Sequence, residues 1–219
     1  MYEFVTHTWN TIKGKCPHDC SYCYMKRWGK QPELHFDEKE FKEFDRDIEK
    51  YGEGQFIFVG SSCDMWAQEI PDKWIERTLH HCEQFDNKYL FQTKNPDRIL
   101  DFIHTRVISD KSIVCTTIES DIYYPDIMKN APLPIERAIA MDELNRVVDT
   151  YVTIEPIMDF NLANMIKMVK RCYPKQVNIG ANSWNKVKLP EPEPGKLLEL
   201  IAELKKFTKV HLKKNLKRI

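Results

Sequence analysis

Residues 151–180 read YVTIEPIMDF NLANMIKMVK RCYPKQVNIG, and this stretch decides the fold. A short apolar, β-rich run at 151–154 is followed by an amphipathic helical segment at 161–173 and a second β-rich run at 176–179. The same unit recurs in both directions. Runs at 5–10, 56–59, 89–92, 112–116 and 209–212 read as strands, and 37–51, 71–85, 96–105, 134–148 and 195–207 read as helices. A strand followed by a helix six times, then a last strand, predicts an α/β fold with a parallel sheet and right-handed crossovers. A complete eight-unit β/α barrel takes about 250 residues, so within 219 residues any barrel is trimmed or incomplete. No Gly/Ser linker or low-complexity tract divides the chain, which predicts one domain over 1–219. Asn95 before Pro96 reads as a helix N-cap, and Asp37 with Glu40 reads as a capping box.

Strand alternation sorts the side chains into two faces. One carries Phe91, Val114, Ile118, Val152, Ile154, Val177, Ile179, Val210 and Leu212, which suits packing under helices. The other carries Gln92, Lys94, Cys115, Thr117, Glu119, Thr153, Glu155, Asn178, His211 and Lys213. Parallel strands covered on both sides normally read as continuous apolar runs, so the second face predicts a polar lumen. Its charged members, Lys94, Glu119, Glu155 and Lys213, fall at the C-terminal ends of strands, where α/β folds place their ligands.

Lys plus Arg and Asp plus Glu each total 33, so the whole molecule has no net charge to steer it toward nucleic acid or an anionic membrane. No apolar run reaches the roughly 18 residues of a membrane span, and MYEFVTHTWN lacks a charged head followed by an apolar stretch. A soluble, cytoplasmic protein with no membrane partner is expected. The seven cysteines are an odd number, and Cys16, Cys20 and Cys23 lie within eight residues in a loop at 14–25. That pattern points away from a disulfide framework and toward metal or redox work. Three thiolates spaced C-x3-C-x2-C can hold three corners of a four-iron four-sulfur cube and leave the fourth iron open. The alternative is a zinc-stabilised binding module without catalysis, with His18, Cys63 or another residue as fourth ligand.

Cys16, Cys20 and Cys23, with Tyr22 just before the last of them, resemble the signature of the radical S-adenosylmethionine superfamily. The strand and helix order is similar to that superfamily's partial (β/α)6 TIM-like barrel, here with an additional C-terminal strand. Thr8-Trp9-Asn10, Gln92-Thr93-Lys94, Thr153-Ile154-Glu155-Pro156 and Lys213-Lys214-Asn215 resemble a family of small phage and prokaryotic radical enzymes, distantly like spore photoproduct lyase. The resemblance implies a [4Fe-4S] cluster on the three cysteines, with S-adenosyl-L-methionine chelating the open iron. It also implies a one-electron donor of flavodoxin or ferredoxin type, and hydrogen abstraction from a substrate by a 5′-deoxyadenosyl radical. For cofactor binding it implies Tyr22 near the adenine, the turn Gly60-Ser61-Ser62 at the methionine group, Glu119 at the ribose, and Gly180 and Asn182 at the adenine. Cys63 or Cys115 is the candidate to return a hydrogen atom to a product radical, as a cysteine outside the cluster does in spore photoproduct lyase, while Cys82 and Cys172 fall in helices and read as packing.

Lys94, Glu155, Asn178 and Lys213 are the candidate substrate contacts, and Lys213 is also a candidate catalytic residue. A nucleotide or nucleic acid suits the lyase resemblance and the basic stretch Lys205, Lys206, Lys209, Lys213, Lys214, Lys217 and Arg218. A small carboxylate metabolite suits the compact chain and the paired lumen charges. Trp9, Trp28, Trp66 and Trp184 fall near strand ends or loops, where an indole either lines a pocket or packs in the core.

Overall fold

The computed structural model describes residues 2–43, 53–184 and 186–219. Seven strands, β1 (His7–Trp9), β4 (Phe56–Val59), β5 (Lys88–Thr93), β6 (Ser112–Thr117), β7 (Asp149–Ile154), β8 (Gln176–Ile179) and β9 (Lys209–Leu212), form one sheet in that order. Every neighbouring pair is parallel. The two outermost strands nevertheless serve one space, because Thr8 of β1 and Lys213 just after β9 line the same cavity. The sheet therefore wraps into the partial barrel expected from the sequence. No helix among the described residues is long and apolar enough to cross a membrane.

The main crossovers run through helices Asp72–Glu83, Pro134–Leu144, Leu162–Arg171 and Pro194–Leu204. Phe91, Val114, Ile118, Val152, Ile154, Val177 and Ile179 are fully buried in one core with helix residues such as Leu79, Met141, Met165 and Leu200. Each side chain removed from water in this way contributes about 1.5–3 kcal/mol before chain entropy is counted. Leu212 departs from the expected pattern at 44% exposed, and Val210 is only half-buried, because β9 is an edge strand. Cys82 and Cys172 are core residues as expected, Cys82 within its helix and Cys172 as the C-cap of Leu162–Arg171.

Several local expectations change. The helix expected at 96–105 is two short ones, Asp97–Leu100 and Arg106–Lys111. Asn95 does not cap it, since its side chain donates to the Trp66 carbonyl at 3.0 Å. Asp37 does cap, accepting from the backbone N–H groups of Lys39 and Glu40 at 3.0 Å each. Glu40 does not close the box, because its carboxylate turns to Lys13 at 2.9 Å. The helix starts at residue 38, and the part of the expected 37–51 helix at 44–51 lies outside the described residues. A short antiparallel pair, β2 (Ile12–Lys13) with β3 (His35–Phe36), brackets the cysteine loop.

Candidate active site

The cysteine loop leaves β2 at Gly14, where φ is +107° and a Cβ atom would stand 2.3 Å from the Glu33 carbonyl oxygen. Only glycine fits, and this close approach closes the base of the loop. Residues far along the chain then hold its far side. Ser21 N–H donates to the Ile127 carbonyl at 2.9 Å, Asn130 N–H to that of His18 at 3.1 Å, and the Asn130 side chain to that of Pro17 at 2.9 Å. Cys20 Sγ lies 3.6 Å from the Met128 carbonyl. Lys26 ties the loop to itself through both the carbonyl and the carboxylate of Asp19, at 2.8 Å each.

Cys16, Cys20 and Cys23 line one cavity of about 560 Å³ at the C-terminal ends of the strands. Tyr22, Gly60, Ser61, Ser62, Cys63, Lys94, Glu155, Asn182 and Lys213 line it too. Glu119, Asn178 and Gly180 do not. Glu119 is fully buried, with one oxygen accepting from Arg137 Nη1 at 2.7 Å and the other from the Tyr22 hydroxyl. Burial pushes its carboxyl up, but the Arg137 and Lys94 charges overcome this and hold it below the usual carboxylate range. Its place is thus to anchor Tyr22 beneath the cavity wall, in contrast to the expected ribose contact. Asn178 accepts from the Gln176 side chain at 2.8 Å inside the sheet. Gly180 serves by lacking a side chain, for a Cβ there would stand 2.8 Å from the Glu155 carboxyl carbon.

The turn after β4 is built for close backbone approach. Gly60 has φ +78°, and its N–H donates to the Trp9 carbonyl at 2.8 Å. Asn10 Oδ1 accepts from the Ser61 hydroxyl at 3.1 Å and from Ser62 N–H at 2.9 Å. Ser62 Oγ is buried without a partner. Asp64 is fully engaged, accepting from the Trp66 and Lys94 N–H groups and the Thr93 hydroxyl, and pairing with His18 at 2.9 Å. Burial raises its pKa, and the His18 hydrogen bond and charge outweigh that and lower it. For His18, burial opposes protonation, but the Asp64 bond and charge raise its pKa on balance. His18 thereby joins the cysteine loop to the end of β5.

Cys63 is 2% exposed and lines the cavity together with Cys16. The interaction of the two thiols favours proton loss from Cys16 and suppresses it at Cys63. Burial pushes the Cys20 thiol up to about 11, although the Lys94 ammonium works against it. Lys94 lies 5.4 Å from the Tyr22 ring centroid; burial disfavours its charge, but Cys20 and Glu119 keep it protonated. Opposite, Lys213 pairs with Glu155, whose other oxygen accepts from the Asn215 side chain at 2.9 Å. Asn182 spends its amide on the carbonyls of Trp184 and Val187 at 2.9 and 2.8 Å.

Sequence reasoning missed Tyr2, which forms part of the cavity wall. Its hydroxyl donates to Gln92 at 2.7 Å, and the Lys213 ammonium lies 4.2 Å from its ring centroid. Cys115 packs with Tyr2, Val5 and Leu90 and does not line the cavity. Sequence reasoning also missed Arg137, though a signal existed: it stands four residues before Met141 on the buried stripe of its helix.

The three cysteines fit a cluster in donor chemistry and placement, being on one short loop and facing one cavity beside an unpartnered Ser62 hydroxyl. Among the described residues, no three His, Cys, Asp or Glu side chains converge on a single-ion site, and His18, a candidate fourth zinc ligand, is turned to Asp64.

A family model described as "Protein of unknown function (DUF5131)" matches residues 1–167. The chain belongs to the DUF5131 family. No curated protein matches it. Its fold is that of radical S-adenosylmethionine partial barrels. It superposes on a cysteine-to-serine mutant of spore photoproduct lyase with a TM-score of 0.68 at 11% identity, over 94% of this chain and 75% of that one. A spore photoproduct lyase double mutant with bound AdoMet and dinucleoside spore photoproduct gives 0.66 at 12% identity, over 91% and 61% of the two chains. Streptococcus suis SuiB bound to its precursor peptide SuiA gives 0.67 at 11% identity, over 96% of this chain and 49% of that one.

Proposed function

We propose that this DUF5131 protein is a radical S-adenosylmethionine enzyme acting on a nucleotide or nucleic acid. The observation that carries the reading is the C-x3-C-x2-C loop, whose three thiols face the large cavity at the C-terminal ends of a parallel partial barrel. When bound, the [4Fe-4S] cluster and S-adenosylmethionine supply one-electron cleavage to methionine and a 5′-deoxyadenosyl radical, which takes a hydrogen atom from the substrate. Cys16, Cys20 and Cys23 would hold three irons. Cys63 favours proton loss from Cys16, which suits Cys16 to bind as thiolate. Gly60 to Ser62 offer a close backbone approach and a free hydroxyl for the methionine end. Lys94 is a protonated cation in the wall beside Tyr22, suited to a carboxylate or phosphate.

Glu155, Lys213, Gln92 and Tyr2, with Asn215 supporting Glu155, make a hydrogen-bonding wall for the substrate. The dinucleoside in a structural neighbour supports a nucleotide substrate, and the cations of the cavity support an anionic one. Anaerobic reconstitution with iron and sulfide, followed by reduction with S-adenosylmethionine in the presence of oligonucleotides, tests the reading. Cluster-dependent 5′-deoxyadenosine, measured by mass spectrometry, is the expected product. A chain that takes up one colourless zinc and forms none overturns it.

A further inference from the structure

Trp28 is 73% exposed, more than any other large apolar side chain among the described residues. It closes the Tyr24–Trp28 turn, and Tyr24, Met25, Lys26 and Arg27 of that turn line the cavity. Both walls of the mouth fix the turn in place. The Tyr24 hydroxyl donates to the Ser61 carbonyl at 2.8 Å, and Arg27 Nη2 donates to that of Ser183 at 2.7 Å. Gln31 Nε2 staples the return by donating to the carbonyls of Met25 and Gly29 at 2.9 and 3.2 Å. A single exposed aromatic is ordinary on a protein surface. This one ends a turn that is tied to Ser61 and Ser183 and whose other four residues line the cavity, and it has cations beside it in the chain.

Lys15, Arg27 and Lys30 are exposed on the same loop, where Lys15 N–H donates to the Pro32 carbonyl, and among the described residues no carboxylate forms an ion pair with any of them. Lys26, by contrast, is neutralised by Asp19. The positive charge does not stop at the rim. Lys15 and Arg27 also line the cavity, and Lys94 continues the series inward. An acidic redox protein docking on the outside would use only the rim cations, whereas a phosphate-bearing chain entering the cavity meets all of them. A flat indole among dispersed cations is the arrangement by which proteins hold unpaired bases and their phosphates.

We propose that the rim formed by Trp28, Lys15, Arg27 and Lys30 docks single-stranded nucleic acid, with a base stacked on Trp28 and phosphates on the three cations. The inference rests on the nucleic-acid reading above and locates its entry. The basic C-terminal stretch is then not the main contact.

The test titrates the full-length chain with a short oligothymidylate while tryptophan fluorescence is followed. Trp9 and Trp66 are fully buried and Trp74 and Trp184 are half-buried, so Trp28 is the most accessible reporter. Stacking is expected to quench the emission, and Trp28→Ala to remove most of the quenching and weaken binding about tenfold or more. Three phosphate contacts at about −0.7 each predict a log affinity against log salt slope of about −2, which Lys30→Gln reduces by about 0.7. Lys217→Gln is expected to leave the slope unchanged. Wild-type affinity in Trp28→Ala, or a slope that responds to Lys217→Gln and not to Lys30→Gln, overturns the proposal. So does a Trp28→Ala chain that loses affinity for a flavodoxin-type donor while binding the oligonucleotide normally. A chain that binds through Trp28 but never yields 5′-deoxyadenosine refutes the proposed activity and keeps this surface, and the converse result separates them the other way.

Discussion

Replacing Arg137 by Met tests the buried pair that underlies the cavity wall. Both Arg137 and Glu119 are fully buried. Arg137 donates to Glu119 at 2.7 Å, to the Thr117 carbonyl at 2.9 Å and to the Pro132 carbonyl at 2.7 Å. Methionine fills much of the volume but leaves a carboxylate without its cation and two carbonyls without their donor. Breaking one side of a buried pair costs about 3–5 kcal/mol. The variant is therefore expected to lose about that much stability in urea unfolding. With a slope of about 1–3 kcal/mol per molar, the midpoint falls by more than about 1 M. Pairing Arg137→Met with Glu119→Leu removes both charges and is expected to recover at least half of the loss, because the desolvated carboxylate is gone. A single-variant loss under about 1 kcal/mol, or a double variant as unstable as the sum of its parts, would refute the buried-pair reasoning.

The same pair sets a pH dependence. Its neighbours lower the folded-state pKa of Glu119 below the ordinary value of 4.5, so its contribution is complete above that value and is lost as pH falls through the folded pKa. The gap between wild type and Arg137→Met is expected to narrow in urea unfolding as the pH falls. The narrowing starts above 4.5, where the variant's buried carboxyl without its Arg137 partner takes up a proton, and continues through the lowered folded pKa of wild type. Cys20→Ala is expected to lose the open-site cluster, so a full iron and sulfide content after reconstitution would remove Cys20 from the ligand set. In Gly14→Ala the new methyl meets the Glu33 carbonyl at 2.3 Å with φ at +107°. The loop must shift, and reconstituted iron content is expected to fall; wild-type iron content in a folded variant would show that the loop base tolerates movement. Gly180→Ala drives a methyl to 2.8 Å from the Glu155 carboxyl carbon, and a loss of about 1–3 kcal/mol is expected in thermal unfolding. An unchanged midpoint there would mean that Glu155 moves freely.

The alternation of β-runs with amphipathic segments was legible because each covered strand face and each helix stripe repeats within a short window. Val152 with Ile154 and Val177 with Ile179 announce their burial locally. The cysteine spacing was legible for the same reason. What stayed hidden depends on partners distant in the chain. Glu119 reads as a ligand-facing acid until Arg137 and Tyr22 are seen to take both its oxygens. Gly180 reads as an adenine contact, and nothing local shows that a Cβ there would meet the Glu155 carboxyl group. Tyr2 lies outside every periodic segment, so nothing local marks its place in the cavity wall. The two-residue strands β2 and β3 are too short to carry an alternation at all.

The anchoring of the cysteine loop also fixes a timetable for the nascent chain. Cys20 and its support at Met128 are 108 residues apart in sequence. At translation rates of about 5–20 residues per second, the thiols emerge roughly 5–20 s before the segment that seats them. During that interval Cys16, Cys20 and Cys23 are ordinary accessible thiols on an unfinished polypeptide, open to oxidants and stray metal. Oxygen and metal supply during expression are therefore as much a determinant of the mature protein as any residue in its cavity.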